Sequence, residues 1–596
     1  MALISYRVDL EQPHKHYYQI TLTIPTPAAV QELSLPSWIP GSYLLREFAR
    51  HLSGLRASQG SRELGVEQLD KSRWQVRCSG RSALVLHYRI YAFDNSVRTA
   101  FLDAQRGFFN GSSLLLKVHG REAEPQQLSL GELPARWAVA TTLPQTAAGE
   151  FQAANYDELL DHPFELGEFW QGEFEAGGVR HRFVLSGALP SFDGERLLRD
   201  SQKICESQIA MWHGPASKRS ERPPFAEYLF MLNAVDEGYG GLEHGASTAL
   251  IAPRRNLPRQ GQAELSDGYV QLLGLISHEY FHAWNVKRLK PAEFARLDYE
   301  RENYTELLWF FEGFTSYYDD LTLVRCGLID EARYLKLLAT TLSGVLATPG
   351  RQVQSLAQAS FDAWTKYYRP DENTPNATIS YYGKGALLAL ATDLSLRSAA
   401  SPGPGAEAPS SLDALMRGLW QRSQGGPISE ADILALLADL AGPEMAEELR
   451  AWVHGTADLP LPLLLERFGV QWQSDKATVA QRLGLRVNES ALAGVQIKQV
   501  LAGSLAQEAG LSAGDELLGC NGWRLRRLDD VLLSLAATQT RLEFLLARDQ
   551  RLLSIGLDLP ATGGLQAAAT GAAVLLSPAE KPALRVSHLR RAWLAG

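Results

Sequence analysis

The chain has 596 residues, 45% hydrophobic and 21% charged, enough apolar material for several cores and too much for wholesale disorder. Its 58 Lys and Arg against 67 Asp and Glu give a net charge of −9, and the densest basic cluster, Arg524, Arg526 and Arg527, is too small for a nucleic-acid patch. No apolar run approaches the ~18 residues of a membrane helix, so neither a nucleic-acid nor a membrane partner is expected.

The N-terminal segment alternates polar and apolar residues and lacks the apolar stretch of a secretory signal. The four cysteines, Cys78, Cys205, Cys326 and Cys520, form no C-x-x-C pair. A reducing, cytoplasmic setting is therefore expected. From residue 1 to about 165 the texture is that of an antiparallel β domain. Tyr17–Ile24, Ser82–Phe93 and Ser113–Gly120 read as strands, separated by turn signals such as Pro40-Gly41 and Asn110-Gly111. Helical periodicity follows, over Ser266 to Val286 with an N-cap at Ser266, over about Glu302 to Val324, and over Gly383 to Arg397. The Pro/Gly/Ser-rich stretch 398–411 reads as a flexible surface loop. Ser429 with Asp432 resembles a capping box opening a helix to about Leu440, and another helix follows Gly442-Pro443. From about 475 to 558, strands at Val495–Val500 and Arg541–Leu546 flank a helix near Leu528–Ala537. The tail after Pro560 ends in a basic, aromatic segment expected to dock on the body through Trp593.

One motif carries chemistry. His278-Glu279-Tyr280-Phe281-His282 is an H-E-x-x-H inside a segment predicted to be helical. Residues i and i+4 share a helix face, so two imidazoles can hold one Zn²⁺ while the glutamate between them reaches a water. A catalytic zinc needs a third protein ligand and an open position. Glu312, a carboxylate flanked by Trp309, Phe310, Phe311 and Phe314, is the candidate, because a buried acid needs a partner. Asp319, two helical turns on, is a candidate carboxylate to support a ligand histidine; a solvated helix-end acid beside Asp320 is the competing reading.

HEYFHAWNVKRLKP (His278–Pro291) and LLWFFEGFTSYYDDL (Leu307–Leu321) resemble the glycyl aminopeptidase family, metallopeptidase family 61, a gluzincin family related to the aminopeptidase N group. SWIPGSYLLREFARH (Ser37–His51) resembles that family's N-terminal β domain, and AGLSAGDELLGCNGW (Ala509–Trp523), with Leu483-Gly484-Leu485, its appended PDZ domain. The 29 residues between His282 and Glu312 exceed the roughly 18 usual in the larger group and match the longer insertion of the glycyl aminopeptidases. By resemblance, Gly240-Gly241-Leu242-Glu243-His244 corresponds to the G-x-M-E-N segment that lines the cleft as an edge strand, with Glu243 binding the substrate's α-ammonium. Tyr381-Tyr382-Gly383-Lys384-Gly385 resembles the Y-x-K-G element, with Tyr382 matching the transition-state tyrosine and Tyr381 its rival.

The resemblance implies a mechanism. His278, His282 and Glu312 hold one zinc per chain, Glu279 acts as general base then acid, and Glu243, Gly240 and Gly241 bind substrate. It also implies N-terminal Gly or Ala preference. The expected architecture is multidomain α+β: an N-terminal antiparallel β domain (1–165), a thermolysin-like zinc peptidase domain (166–397), a helical extension (398–474), a PDZ domain (475–560) and a tail (561–596). The expected partners are peptides with a free N-terminus and a peptide ligand of the PDZ groove; oligomeric state is not encoded legibly. Two other readings compete: a thermolysin-type zinc endopeptidase, which has no use for Glu243, and a non-catalytic PDZ and β-domain scaffold, which has no use for an intact H-E-x-x-H.

Overall fold

A computed structural model describes residues 3–214, 222–399, 410–490, 494–536, 539–561, 564–567 and 573–596. The chain forms two compact units, Met1–Tyr304 with Leu419–Ile428, and Thr305–Gly418 with Ser429–Gly596.

The first unit begins with β structure. Tyr17–Ile24 alternates as predicted, burying Tyr18, Ile20, Leu22 and Ile24, which is the period-2 pattern of a strand with one face on a core. It pairs antiparallel with Ile4–Asp9 on one side and Leu84–Tyr91 on the other, in a seven-stranded sheet. Two four-stranded sheets share its core. The sheets are antiparallel with one exception, since Ile4–Asp9 and Gln126–Leu130 run parallel. The expected strand at Ser113–Gly120 is a correction. Asn110-Gly111 opens a single helical turn, Gly111–Leu114, and only Lys117–Val118 is extended into a ladder. Three buried tyrosines explain it. The hydroxyls of Tyr88, Tyr156 and Tyr6 donate to the carbonyls of Leu114, Leu115 and Leu116 at 2.8, 2.7 and 2.7 Å, so this backbone is satisfied without a strand partner.

A five-stranded sheet follows. Val179–Ser186, Glu227–Val235 and Ser247–Pro253 run parallel, Trp170–Ala176 closes one edge and Gly240–Glu243 the other, both antiparallel. The helix Asp267–Phe281 packs against Gly240–Glu243 and Ser247–Pro253. Ser266 caps it, its side chain accepting from the Tyr269 amide at 3.1 Å. The helix stops at Phe281 instead of running to Val286, and Val286 has φ 143°, a conformation no helix continues through.

The second unit is mainly helical, and it holds the C-terminal β structure. The helix expected from Glu302 begins instead with a π-helical segment, Trp309–Phe314, that runs into the α-helix Thr315–Arg325. The helix predicted at Gly383 starts at Tyr381 and reaches Ala399. The expected flexible loop lies outside the described residues except at its ends. Ser429 and Asp432 form the predicted capping box on Glu430–Ala441, and Pro443–His454 follows. The ribbon of Val470–Ser474 with Val574–Pro578 brackets a sheet of Leu485–Ser490, Gly494–Val500, Glu516–Cys520, Arg541–Arg548 and Arg551–Asp558. Asn521 and Gly522 make its tight turn with φ 52° and 81°, the positive angles a two-residue hairpin demands. The predicted helix there is shorter, a 3-10 turn Leu528–Asp530 and the turn Val531–Ser534.

The last helix, Leu584–Ala595, buries Trp593 against Tyr334 and Phe468, and its indole N–H donates to the Tyr317 hydroxyl at 2.8 Å. Among the described residues no helix is long and apolar enough to cross a membrane, and all four cysteines are free thiols. Replacing Trp593 by alanine is expected to destabilise this unit by about 3–5 kcal/mol. Phenylalanine, which keeps most of the bulk, should cost about 1 kcal/mol for the lost hydrogen bond. Denaturant midpoints followed by circular dichroism check both.

Candidate active site

The H-E-x-x-H motif occupies the end of the helix Asp267–Phe281, with His282 at its C-cap. His278 is half-buried, whereas Glu279 and His282 are buried. The spacing puts the imidazoles on one face, ring centroids 4.7 Å apart and planes nearly perpendicular at 86°. His282 Nδ1 lies 2.8 Å from the carbonyl oxygen of Asn285. A carbonyl only accepts, so Nδ1 carries the proton and Nε2 keeps its lone pair, the form that ligates a metal.

Facing the helix is the edge strand Gly240–Glu243, held by Arg98, whose Nη2 donates to the Gly241 carbonyl at 3.0 Å. Here the absence of a side chain matters. A Cβ on Gly241 would fall 2.2 Å from Glu279 Oε1 and 2.3 Å from its carboxyl carbon, so the Glu279 carboxylate lies directly on the Gly241 backbone. Gly41 stands in the same relation to Glu243. Its φ is +87°, and a Cβ there would fall 2.4 and 2.6 Å from the two Glu243 carboxylate oxygens. Two carboxylates are thus each seated on a glycine. Glu243 and Glu279 are both 5% exposed, and with His282 each can place one ligand atom within 4.8 Å of the other two.

In the second unit, Glu312 sits in the π-helical segment and is 2% exposed. π-helical turns are rare and concentrate at functional positions. Gly313, next to Glu312, meets Gly385 backbone to backbone. A Cβ on Gly313 would fall 2.5 Å from the Gly385 Cα, and one on Gly385 2.7 Å from the Trp309 carbonyl oxygen. This contact brings the Glu312 segment against the first turn of the helix Tyr381–Ala399. Tyr381 is fully buried, while Tyr382 keeps some solvent exposure. Burial pushes the Tyr382 phenol above its usual range, and the Glu312 carboxylate adds to the shift, so Tyr382 stays a protonated donor at neutral pH. Asp319 lies half-buried on Thr315–Arg325, where its Oδ1 accepts from the Asp320 amide at 2.5 Å.

The donors suit a divalent metal. His278, His282 and Glu312 offer two imidazole nitrogens and a carboxylate oxygen, the combination that suits zinc. Sequence reasoning found these residues and missed Gly41, which it read only as part of a turn, and Asp161, which carries no local signal.

Three family models match the chain: the Peptidase M61 N-terminal domain over residues 5–168, M61 glycyl aminopeptidase over 271–388, and the PDZ domain over 471–542. A crystal structure of an aminopeptidase N family protein from Idiomarina loihiensis is 36% identical, covers 99% of this chain and 100% of its own, and superposes with a TM-score of 0.90. An M1 zinc metallopeptidase from Deinococcus radiodurans is 16% identical over 77% of this chain and 94% of its own, with a TM-score of 0.45. No curated protein matches. The fold is of mixed α+β, multidomain build, and the chain is a metallopeptidase. The chain belongs to the M61 glycyl aminopeptidase family.

The two glycine seats make a direct prediction. Gly41→Ala and Gly241→Ala should displace the Glu243 and Glu279 carboxylates, respectively. Each should lower kcat/KM for a glycyl peptide about 10²-fold, the cost of a misplacement near 1 Å, with metal content unchanged. Steady-state kinetics beside metal analysis checks this.

Proposed function

We propose that this chain is a zinc aminopeptidase that removes one N-terminal residue at a time from short peptides, preferring Gly or Ala as its family resemblance implies. The observation that carries the reading is the convergence of Glu243, Glu279 and His282 within 4.8 Å, which sets a spare buried carboxylate beside an H-E-x-x-H. A hydrolytic centre needs one general base, and the second acid needs another purpose. A fixed carboxylate that pairs with an α-ammonium is that purpose, and it measures the distance from the chain's start to the scissile bond.

His278, His282 and Glu312 hold the metal, one ion per chain. When bound, zinc supplies a Lewis acid that polarises the scissile carbonyl and makes a water acidic near neutral pH. Glu279 takes a proton from the attacking water and passes it to the leaving amine. Tyr382 donates its phenolic hydrogen to the oxyanion, a bond that strengthens as charge develops; full burial of Tyr381 favours Tyr382 for this role. Glu243 binds the ammonium, with the Gly240 and Gly241 backbone beside it. Asp319 supports a ligand histidine. The PDZ region takes an extended peptide along Leu485–Ser490, the terminal strand of its sheet.

Glu279→Gln is expected to lower kcat by about 10²–10⁴-fold while the protein still binds zinc. Near-wild-type turnover with zinc in place would end the general-base assignment. Glycine should be released from Gly-Ala-Ala and not, free or acetylated, from N-acetyl-Gly-Ala-Ala, and internal cleavage of the blocked peptide would turn the reading to an endopeptidase. Chelation should abolish turnover, and one equivalent of Zn²⁺ should restore it.

A further inference from the structure

Asp161 follows the short helix Tyr156–Leu160 in the β-rich region, and three groups from two other segments converge on it. Its Oδ1 accepts from Lys287 Nζ at 2.6 Å and lies 3.2 Å from His244 Nδ1, while its Oδ2 accepts from the Gly245 amide at 2.9 Å. His244 and Gly245 come directly after Glu243. Lys287 comes five residues after His282, and its amide donates to the His282 carbonyl at 3.1 Å. Arg288 repeats the connection. It donates to the Gly245 carbonyl, to the Ala283 carbonyl at 3.0 Å and to the Pro224 carbonyl at 2.6 Å.

Between the joined segments lies Val286 with φ 143°. A β-branched residue there is strained, and such strain persists only where the surroundings over-determine the backbone. The ion pair and the Arg288 bonds immediately after it are such surroundings. Burial works to raise the Asp161 carboxyl, but the Lys287 charge and His244 overcome it and hold the group well below the usual carboxylate range. Asp161 is therefore an anion wherever the enzyme is folded and near neutral pH.

We infer that Asp161 is a positioning residue for amine recognition: by holding His244 and Gly245 at one end and Lys287 at the other, it fixes the Glu243 carboxylate relative to the turn that carries His282. The inference rests on the amine-anchor reading of Glu243. It goes beyond that reading by making substrate selection depend on a residue that touches neither substrate nor metal.

The test uses the zinc-loaded full chain and two ligands that differ only by the amine: Gly-Ala-Ala as substrate and acetyl-Ala-Ala as competitive inhibitor. Asp161→Asn is expected to raise KM for Gly-Ala-Ala about tenfold, the scale of supporting-residue effects. It should leave kcat within about threefold, the inhibition constant of acetyl-Ala-Ala unchanged and the zinc content at the wild-type level. Asp161→Glu should restore part of the loss. If KM is unchanged, or if kcat, inhibitor binding and zinc content fall together, Asp161 is merely structural and the inference is overturned. Glu243→Gln run in parallel separates the two claims. A variant at Glu243 that still distinguishes the two ligands sinks the amine anchor and this inference with it. A discriminating role for Glu243 with no effect at Asp161 sinks the inference alone. If Asp161→Asn does not fold, Lys287→Met removes one of the same contacts and is read by the same criteria.

Discussion

Two carboxylates and an imidazole share a few ångströms of buried space, and the first unit is arranged around holding them there. Glu243 and Glu279 are both nearly excluded from water. Two carboxyl groups crowded together away from water favour a bound cation. On the proposed reading, a metal ion and a substrate ammonium are the cations that would occupy this space. The cost is geometric. Each carboxylate must be kept from swinging away from its neighbour, and backbone contact does this most rigidly. Gly41 behind Glu243 and Gly241 behind Glu279 supply flat walls that no side chain could replace.

The second unit solves a related problem by helix contact. A π-helical turn presents Glu312, and the contact of Gly313 with Gly385 lets two backbones approach closely enough for that turn to sit on the helix that carries Tyr382. Deeper in the unit a buried network stiffens the same helix. Asp393 takes Tyr317 at 2.7 Å and Arg397 at 2.9 Å, and Asp413 takes Tyr318 at 2.7 Å and Arg325 at 3.1 Å. Buried ion pairs contribute little net stability against their desolvation cost. Their directional bonds nonetheless fix one arrangement. The C-terminal helix joins this network, since Arg397 donates to the Ala592 carbonyl at 2.8 Å. The PDZ region is tied nearby through Asn376, which bonds the Val500 carbonyl and the Ala502 amide at 2.9 and 2.8 Å. Asn376 lies six residues before Tyr382, so the appended sheet braces the approach to that residue.

The parts legible in the sequence were those with local causes. The alternation of Tyr17–Ile24, the Ser266 cap, the Ser429 and Asp432 capping box and the Asn521-Gly522 turn all follow from short-range rules. The H-E-x-x-H spacing follows from helix geometry, and the resemblance supplied Glu243 and Tyr382. What stayed hidden depends on partners distant in sequence. Ser113–Gly120 looked like a strand because nothing local reveals three tyrosine hydroxyls arriving from Tyr6, Tyr88 and Tyr156. The helix through His282 was drawn too long because the chain leaves it after Phe281 and passes through Val286 at φ 143°, just before Lys287 and Arg288, which are held by Asp161, Gly245 and Pro224. The π-turn at Glu312 has no periodicity of its own, and it packs against a glycine more than seventy residues on.

The same distinction bears on the role of the N-terminal β region. A separable appendage would reach the site only through its linker. Here residues 1–165 reach it at three points, one of them the Arg98 bond to the Gly241 carbonyl. Gly41 forms the wall on which Glu243 rests, and Asp161 takes the amide that follows Glu243 together with the lysine that follows His282. One fixes the carboxylate from the side, the other fixes the strand that carries it. Among the described residues, the edge strand Gly240–Glu243 has a ladder partner on one side only, Ser247–Pro253. A strand held by a single ladder is free to shift on its open side. The N-terminal region removes that freedom, and the position of the Glu243 carboxylate is therefore set by the β structure as much as by the helix that carries His278 and Glu279.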